Sequence, residues 1–431
     1  MERFILLLKI TQQSPHKILT FNNAFYVIEL DYNFTEKRML IRNEKSSNDS
    51  ITDSLFFLEK LTNISSQTKD EKGVIEVFKH VSSRLVDLGF NIQFLKSSIN
   101  GKAPLLYALK PGKIDKKITF ICHADTVTNI DRTPFKRDIK NNKIFGAGVA
   151  DNKGGIITGL KAIESFLQSE DNHYHTLAFV VSPNEEIGSP GHHNTLSSIG
   201  VTSDYLIGLE PALYDGSIIH SRSGNRWYNV NVQGIAAHSG RFGEPHINAA
   251  HDLAIKISKF SQLANEQCGT RLNIGSFNGG NGSYNTVCSS ASAKLDLRFK
   301  CFSLRDKLHN QIVEIISNSD QKCPYTDQKS KTFFSIEDDC PPLPFDNKNL
   351  ESINQLKKII EVEEKRKVLS NHSGGAADIN YLSFPHNIGV DGMGPVGSGM
   401  HTTKEYILES SIFTRAQSIK NFLQVLNKKG D

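Results

Sequence analysis

The segment ITFICHADTV, at residues 118–127, decides the predicted fold because a short apolar strand leads directly into a histidine and an aspartate. Four similar runs of β-branched or aromatic residues lie around it, namely FNIQFL, PLLYAL, TLAFVVS and YLIGL. Among them is a helical stretch in which apolar residues recur at three- and four-residue steps from Ile156 to Leu167. Apolar strands that alternate with helices predict an α/β fold, with helices on both faces of its sheet.

The chain on either side of this segment is long enough for further domains, since its 431 residues exceed the usual size of one hydrophobic core. From about residue 220 the strands WYNVNVQG and AKLDLRFK alternate apolar with polar residues, as half-exposed antiparallel strands do. The proline-rich segment CPPLP at residues 340–344 marks the return to the first domain. We therefore expect a main domain at residues 51–219 and 336–431, with a smaller α+β domain inserted at residues 220–335.

The first fifty residues predict an N-terminal extension. The runs AFYVIELDY and KRMLIRNE have the pattern of strands and predict a hairpin, which ends in the polar loop KSSNDS. We expect this extension to pack on the main domain. The apolar run FILLL at residues 4–8 is shorter than the roughly 20 residues of a membrane span, and no signal cleavage site follows it.

The composition argues against several classes of partner. Lysine and arginine number 50 against 46 acidic residues, a net charge of only +4, and the sequence has no long basic run. Binding to nucleic acid or to a membrane surface is therefore not expected. The six cysteines form no CxxC pair and are too sparse for a disulfide framework, so we expect free thiols and a cytoplasmic protein.

Polar side chains suited to metal binding follow the apolar runs. His123 and Asp125 lie on the same side of a strand end, where the carboxylate can orient the imidazole. Asp151 lies in the glycine-rich loop GAGVADNKGG, whose Lys153 is followed by glycine and not by the Ser or Thr of a phosphate-binding loop. Taken singly, a structural His–Asp hydrogen bond and an ordinary strand-to-helix turn explain these residues at least as well as a metal does.

Three more carboxylates and a second histidine occur in similar places. Glu185 and Glu186 follow the strand TLAFVVS, and two adjacent acids repel each other unless a cation or a proton lies between them. Glu210 follows the strand YLIGL, and His401 lies in a second glycine-rich loop. Singly, a solvated pair of acids, a surface acid and a hydrogen-bonded loop histidine remain valid interpretations.

Together these residues predict a site for two metal ions. Ligands of open α/β sheets bind at the carboxyl ends of the strands, so the loops that follow the strands are expected to converge. Two imidazoles and three carboxylates suit two Zn²⁺ ions, or Co²⁺ or Mn²⁺ in their place, if one carboxylate is shared. The predicted metal ligands are His123, Asp151, Glu186, Glu210 and His401.

Seven motifs occur in a fixed order between residues 123 and 407, namely HADTV, GAGVADNKGG, NEEIGSPG, LEPA, AAHSG, SGGAAD and DGMGPVGSGMHTTKEYI. This set resembles the dinuclear zinc peptidases and deacylases, which include glutamate carboxypeptidase, succinyl-diaminopimelate desuccinylase, acetylornithine deacetylase and aminoacylase. The glutamate carboxypeptidase branch is the most similar. The resemblance implies a zinc-exopeptidase-like domain, with a central mixed sheet flanked by helices, and an inserted α+β dimerisation domain.

The resemblance also assigns the five ligands to two zinc ions. Asp151 would bridge the ions. His123 and Glu210 would complete the first site, and Glu186 and His401 would complete the second.

Further residues match positions that act in the reaction of this family. Glu185 would be the general base, and Asp125 would support the ligand His123. His238, in AAHSG, would reach the active site of the other protomer in a homodimer and help to stabilise the oxyanion. Dimerisation would then be part of the chemistry.

Three residues match positions that bind the substrate. Asn285 in YNTV and Arg298 in LDLRF resemble residues that bind a substrate carboxylate, and Gly375 in SGGAAD resembles a backbone contact close by. For an isolated arginine on a strand, a surface ion pair is the ordinary interpretation. The chain departs from the family pattern at Asn152, where a Met or an acid usually follows the bridging aspartate, and this leaves the shape of the acyl pocket open.

The implied function is hydrolysis of an amide bond beside the free carboxylate of an amino acid, in a peptide or an N-acyl amino acid. A carboxypeptidase and a deacylase both fit, and glutamate at position 210 resembles the deacylases. An aminopeptidase would instead need an acidic group for a free α-amine. The alternatives from other classes are a silent metal-binding scaffold or regulatory homologue, and a nucleotide-binding protein built around GAGVADNKGG.

Overall fold

The computed structural model describes residues 16–21, 24–29, 47–169 and 174–428. The chain divides into two units, Met1–Ser50 and Ile51–Asp431. In the first unit β1 (His16–Phe21) and β2 (Ala24–Glu29) pair as antiparallel strands. The predicted strand AFYVIELDY is therefore present as β2, but its partner is HKILTF, whereas KRMLIRNE lies outside the described residues.

The predicted loop KSSNDS is wrong from Ser47 onward, because α1 (Ser47–Thr62) begins there. Serine, asparagine and aspartate have weak helix preferences, which makes this start look like a loop in the sequence. Leu55, Leu58 and Leu61 recur at three-residue steps along α1 and are buried. The burial of this apolar face stabilises the helix.

The second unit is built from helices and strands that follow one another along the chain. The helices are α2 (Glu71–Asp87), α3 (Lys153–Ser169), α4 (His193–Val201), α5 (Ala249–Phe260), α6 (Phe302–Ser317), α7 (Asn347–Glu364), α8 (Ile379–Leu382) and α9 (Glu409–Lys428). The strands are β3 (Asn91–Leu95), β4 (Leu105–Lys110), β5 (Ile114–His123), β6 (Lys136–Asp138), β7 (Lys143–Phe145), β8 (His175–Ser182), β9 (Tyr205–Gly208), β10 (Ile218–Arg222), β11 (Gly224–Gln233), β12 (Thr270–Gly279), β13 (Ser290–Phe299), β14 (Lys331–Cys340), β15 (Ser370–Ser373), β16 (Ile388–Val390), β17 (Gly397–Ser398) and β18 (Tyr406–Leu408).

Six strands form a central mixed sheet in the order β16-β9-β5-β8-β4-β3. β16, β9, β5 and β8 run parallel, whereas β4 is antiparallel to both of its neighbours. Successive side chains of β5 enter different cores, since Phe120 packs in the core that includes residues of α3 and α9, and Ile121 packs with residues of α4 and α8. Both faces of the central sheet are therefore covered, which confirms the predicted α/β fold.

A second sheet, which we call the outer sheet, has four antiparallel strands in the order β12-β13-β11-β14. One face packs against α5 and α6 around buried residues such as Leu297 and Phe299. Neighbouring residues along a strand point to opposite faces, so Arg298 lies on the face away from these helices. There it is opposite Arg271 on β12 and Asn225 on β11. This face is polar, in agreement with the alternation of the sequence.

Two smaller groups of strands complete the unit. β10 pairs in parallel with β15, and a four-stranded sheet has the order β17-β18-β7-β6. Within the described part of the chain, no helix is both long enough and apolar enough to cross a lipid bilayer.

Candidate metal centre

The predicted ligands lie on loops at one edge of the central sheet. His123 is the last residue of β5, and Glu186 and Glu210 follow the parallel strands β8 and β9. Asp151 lies two residues before α3, and His401 lies between β17 and β18. Parallel strands end at the same edge of a sheet, so the topology itself brings three of these side chains together.

The first group of ligands is built around His123, whose side chain is fully buried. Its Nε2 lies 2.8 Å from Oδ1 of Asp151 and 3.6 Å from Oε1 of Glu210. The three candidate ligand atoms lie within 4.8 Å of one another, close enough to hold one metal ion. Asn152 donates a hydrogen bond of 2.7 Å from its Nδ2 to Oε1 of Glu210. The residue that departs from the family pattern thus orients a predicted ligand.

The second group shares Asp151 with the first. Nε2 of His401 lies 3.3 Å from Oδ2 of Asp151 and 3.1 Å from Oε2 of Glu186. The side chain of His401 is 55% exposed, so this group opens towards solvent on one side. The two oxygens of a single carboxylate therefore contact two different histidines, which is the arrangement expected of a bridging ligand.

Burial and mutual contacts shift the pKa values of these groups. Burial, reinforced by the charge of Asp151, raises the pKa of Glu210 to about 8, and burial also raises the pKa of Glu186. Hydrogen bonds to Asp151 and Glu186 raise the pKa of His401 to about 10. Burial opposes ionisation of Asp151, yet its contacts with His123 and His401 lower its pKa. Ionisation of these buried carboxylates is unfavourable without a nearby positive charge, and a divalent cation would supply that charge.

One oxygen of the second group has no hydrogen-bond partner. The Oε1 of Glu186 is buried and receives no hydrogen bond from the described residues. A buried carboxylate oxygen without a donor is costly, and a cation removes that cost. Imidazole nitrogens and carboxylate oxygens are also ligands that zinc, cobalt and manganese accept. The residues present therefore fit a pair of divalent ions.

Asp125 connects the metal ligands with the predicted general base. Its Oδ1 lies 3.2 Å from Nδ1 of His123, on the side of the ring opposite the ligand atom. The same carboxylate accepts hydrogen bonds from the backbone N–H of Glu185 at 3.0 Å and of Glu186 at 3.3 Å. The hydroxyl of Thr68 donates a further bond of 2.8 Å. This geometry supports the prediction that Asp125 orients His123.

A cavity of about 250 Å³ lies between the ligand loops and the polar face of the outer sheet. Glu185, Gly375, Trp227 and Arg298 all line this cavity. Burial raises the pKa of the Glu185 carboxyl well above its usual range. Nε of Arg298 lies 2.9 Å from the carboxylate of Asp296, and its other two nitrogens have no partner among the described residues. They are free to bind an anion in the cavity.

Two predicted residues lie outside this cavity. His238 and Asn285 are exposed, and they lie on neighbouring segments. The backbone N–H of Ser239 donates a hydrogen bond of 2.9 Å to the carbonyl of Asn285 and so connects the two segments. Neither side chain lines the cavity. A single chain therefore brings Arg298 and Gly375 to the candidate site but leaves His238 and Asn285 at the surface.

Sequence reasoning missed two buried carboxylates beside the centre. Asp378 lines the cavity and accepts hydrogen bonds from the hydroxyls of Ser182 and Ser189. Glu405 is buried and accepts a hydrogen bond from the backbone N–H of Asp151. Burial raises the pKa of both carboxyls, that of Glu405 to about 7. The available signal was their position inside the motifs SGGAAD and HTTKEY.

A wider cleft of about 620 Å³ adjoins the cavity, and Arg298 and Gly375 line both. Arg271, Lys300 and His372 also line this cleft. The candidate site therefore continues beyond Arg298 into a space with several basic side chains.

Comparisons with known sequences identify one protein family. The sequence profile of peptidase family M20/M25/M40 matches residues 119–425 of this chain. Carboxypeptidase G2 of Pseudomonas sp. (strain RS-16) is 24% identical over 367 residues, which cover 82% of this chain and 85% of that protein. Succinyl-diaminopimelate desuccinylase of Nitrosomonas eutropha is 28% identical over 270 residues, which cover 58% of this chain and 69% of that protein.

A comparison with solved structures gives the same fold. A tripeptidase of Staphylococcus aureus superposes with a TM-score of 0.71 and 18% sequence identity. The superposition covers 88% of this chain and 99% of the tripeptidase. At this identity the likeness concerns the architecture alone.

Proposed function

The chain belongs to peptidase family M20/M25/M40, and from this membership we propose that it hydrolyses an amide bond next to a free carboxylate with the help of two metal ions. The observation that carries this proposal is the position of Asp151. Its two carboxylate oxygens face His123 and His401, at 2.8 and 3.3 Å, in two groups that share no other residue.

The two groups are the proposed metal sites. His123 and Glu210 would hold one ion with Asp151, and Glu186 and His401 would hold the other with the same carboxylate. Zinc is the proposed ion. Two divalent cations, when bound, lower the pKa of water and polarise the carbonyl of the substrate.

Glu185 is the proposed general base. It lines the cavity beside the ligands, and Asp125 fixes its backbone through the hydrogen bond of 3.0 Å. Glu185 takes a proton from the attacking water and then donates it to the nitrogen of the leaving amine. A carboxyl whose pKa is raised by burial is suited to both transfers, because it binds the proton tightly enough to deliver it.

Arg298 is the proposed partner of the substrate carboxylate. Its two unpaired nitrogens can bind both oxygens of a carboxylate, a geometry that only guanidinium offers. Gly375 lines the same cavity, and its backbone is the proposed second contact with the substrate. This arrangement selects amides in which the released amino acid keeps a free carboxylate.

His238 and Asn285 are proposed to act across a homodimer. Both are exposed, and the aromatic side chains of Phe242 and Tyr284 on the same two segments are also in solvent, at 93% and 106% exposure. Exposed aromatic residues in one region favour a protein contact there. In the dimer, His238 of the partner subunit would stabilise the negative charge that develops on the carbonyl oxygen.

The substrate class is tested with the complete chain after chelation of its metals. The apoprotein is titrated with zinc, cobalt and manganese, and assayed against acetyl, succinyl, peptidyl and folyl amino acids. We expect about two ions per chain and metal-dependent hydrolysis of at least one substrate. The same substrates with a carboxamide in place of the carboxylate are the matched control.

The outcomes separate the competing functions. Peptidyl substrates alone would identify a carboxypeptidase, and succinyl or acetyl substrates would identify a deacylase. A tripeptide amide has a free α-amine but no free carboxylate. Release of its first residue would identify an aminopeptidase instead. Metal binding without any hydrolysis, or equal cleavage of acids and carboxamides, would contradict the proposal.

A further inference from the structure

Glu405 is a buried carboxylate that the proposed reaction does not use. It lies four residues after the ligand His401, immediately before β18, and is only 2% exposed. No ion pair links it to a lysine or arginine within the described ranges. A buried carboxylate in such a position is costly unless strong hydrogen-bond donors surround it.

The donors come almost entirely from one loop, the segment that carries Asp151. Oε1 of Glu405 accepts hydrogen bonds from the backbone N–H of Ala150 at 2.9 Å and of Asp151 at 3.1 Å. Oε2 accepts from the backbone N–H of Gly148 at 3.0 Å and from the hydroxyl of Thr128 at 3.3 Å. Three peptide groups of the loop thus point at one carboxylate.

This contact joins two parts of the proposed metal centre that are far apart in the sequence. Asp151 belongs to both ligand groups, and His401 belongs to one of them. Glu405 is hydrogen-bonded to the loop that carries Asp151, and it lies on the same short segment as His401. Rotation of the peptide groups before Asp151 would break hydrogen bonds from their N–H groups to this buried carboxylate.

We propose that Glu405 is a positioning residue, which fixes the backbone around Asp151 so that the shared ligand is held in place before the metals bind. This inference rests on the proposed two-metal centre. It assigns to Glu405 an effect on metal affinity, through the backbone and without contact with the metal or the substrate.

The test uses Glu405→Gln in the full chain. Glutamine keeps the shape but has one acceptor oxygen, and its NH₂ group would face backbone N–H donors. We expect the dissociation constant for the weaker metal to rise about 10- to 100-fold, as for other residues that support ligands from behind. The measurement is a competition titration with a chromophoric chelator, together with the visible absorption spectrum of the Co²⁺-loaded protein.

Two matched variants separate positioning from general stability. Thr128→Val removes the one side-chain donor and leaves the three peptide contacts of Glu405 in place. Glu364→Gln changes another buried carboxylate, which is not one of the proposed ligands. Its Oε1 forms an ion pair with Nε of Arg415 at 2.7 Å. Both are expected to bind metal within about threefold of the unmodified protein, a difference well below the effect expected for Glu405→Gln.

The results distinguish the inference from the proposed function. Wild-type protein that binds no metal would refute the two-metal centre itself. Metal affinity and a Co²⁺ spectrum unchanged by Glu405→Gln would overturn the role of Glu405 alone.

If that variant does not fold, amide hydrogen exchange of the wild-type apoprotein decides the question. The inference requires the N–H groups of Ala150 and Asp151 to be protected before metal is added. Exchange at the rate of an open loop would overturn it.

Discussion

The ligand cluster and the polar face of the outer sheet contribute to one cavity but are built differently. In the cluster, His123 and Asp125 are fully buried, and Asp151 contacts both histidines. On the outer sheet, Arg298 is held through a single nitrogen, and on the segment that follows β11 the side chain of His238 is exposed. The difference agrees with the proposal that one chain completes the metal centre, whereas a second chain contributes to the substrate side.

The largest effect is expected at Glu185, on the cluster side. Glu185→Ala should reduce turnover by at least about 100-fold, the usual scale for a lost acid–base group, while about two metal ions per chain remain. Turnover is measured at saturating substrate, and metal content by elemental analysis. Undiminished turnover would remove Glu185 from the mechanism, and loss of metal would make it a structural residue of the centre.

A smaller effect is expected at Arg298, on the outer sheet. Arg298→Ala should raise the KM for substrates with a free carboxylate by about 10- to 100-fold, the scale of a lost charge-assisted hydrogen bond. Metal content should not change. Arg271→Ala is the matched control, because the side chain of Arg271 lies opposite Arg298 on β12, is 70% exposed and has one ion pair among the described residues, with Glu266 at 3.4 Å. Equal effects of the two substitutions would mean that the basic face acts only through its overall charge.

The smallest expected effect is a partial recovery of activity in mixed dimers. It tests whether a second chain contributes residues to the substrate-binding part of the site. Chains with His238→Ala and with Arg298→Ala, each weak alone, are mixed and allowed to exchange subunits. Half of the dimers are then mixed and each contains one intact site, so about a quarter of the wild-type activity should return. The recovered activity is measured after gel filtration of the dimer.

A second mixture provides the control for this experiment. Glu185→Ala and Arg298→Ala alter residues that one chain contributes to its own cavity, so their mixed dimers contain no intact site. This mixture should recover no activity. Full activity in a monomeric preparation of the unmodified protein would contradict a contribution from the partner.

Much of the fold follows from local sequence patterns. The apolar strands are predictable because both faces of the central sheet are buried, so each strand is apolar throughout. β14 was not predicted, since it is an edge strand with most of its residues exposed and therefore has no regular alternation. α7 was also missed, although Ile353, Leu356 and Ile360 are buried at helical spacing and provided a signal.

The residues of the candidate site that directly follow strands could be predicted from the sequence. His123, Glu186 and Glu210 could be grouped because parallel strands end at one edge of a sheet. The contact of Glu405 was harder to predict, since both partners lie in recognised motifs but the hydrogen bond to Gly148 joins residues 257 positions apart and involves a backbone group. The exposure of His238 was equally hidden, because it depends on how the segment folds and not on the residue itself.

The carboxylate of Asp125 has a consequence for how this protein can change over generations. It contacts the proposed metal ligand His123 and, through two amides, the segment that carries the proposed base, so we expect one substitution there to disturb both functions together. A lineage could not discard proton transfer by altering Asp125 and still retain an intact ion site. Inactive homologues that still bind metal are therefore expected to have a substitution at Glu185 and to retain Asp125.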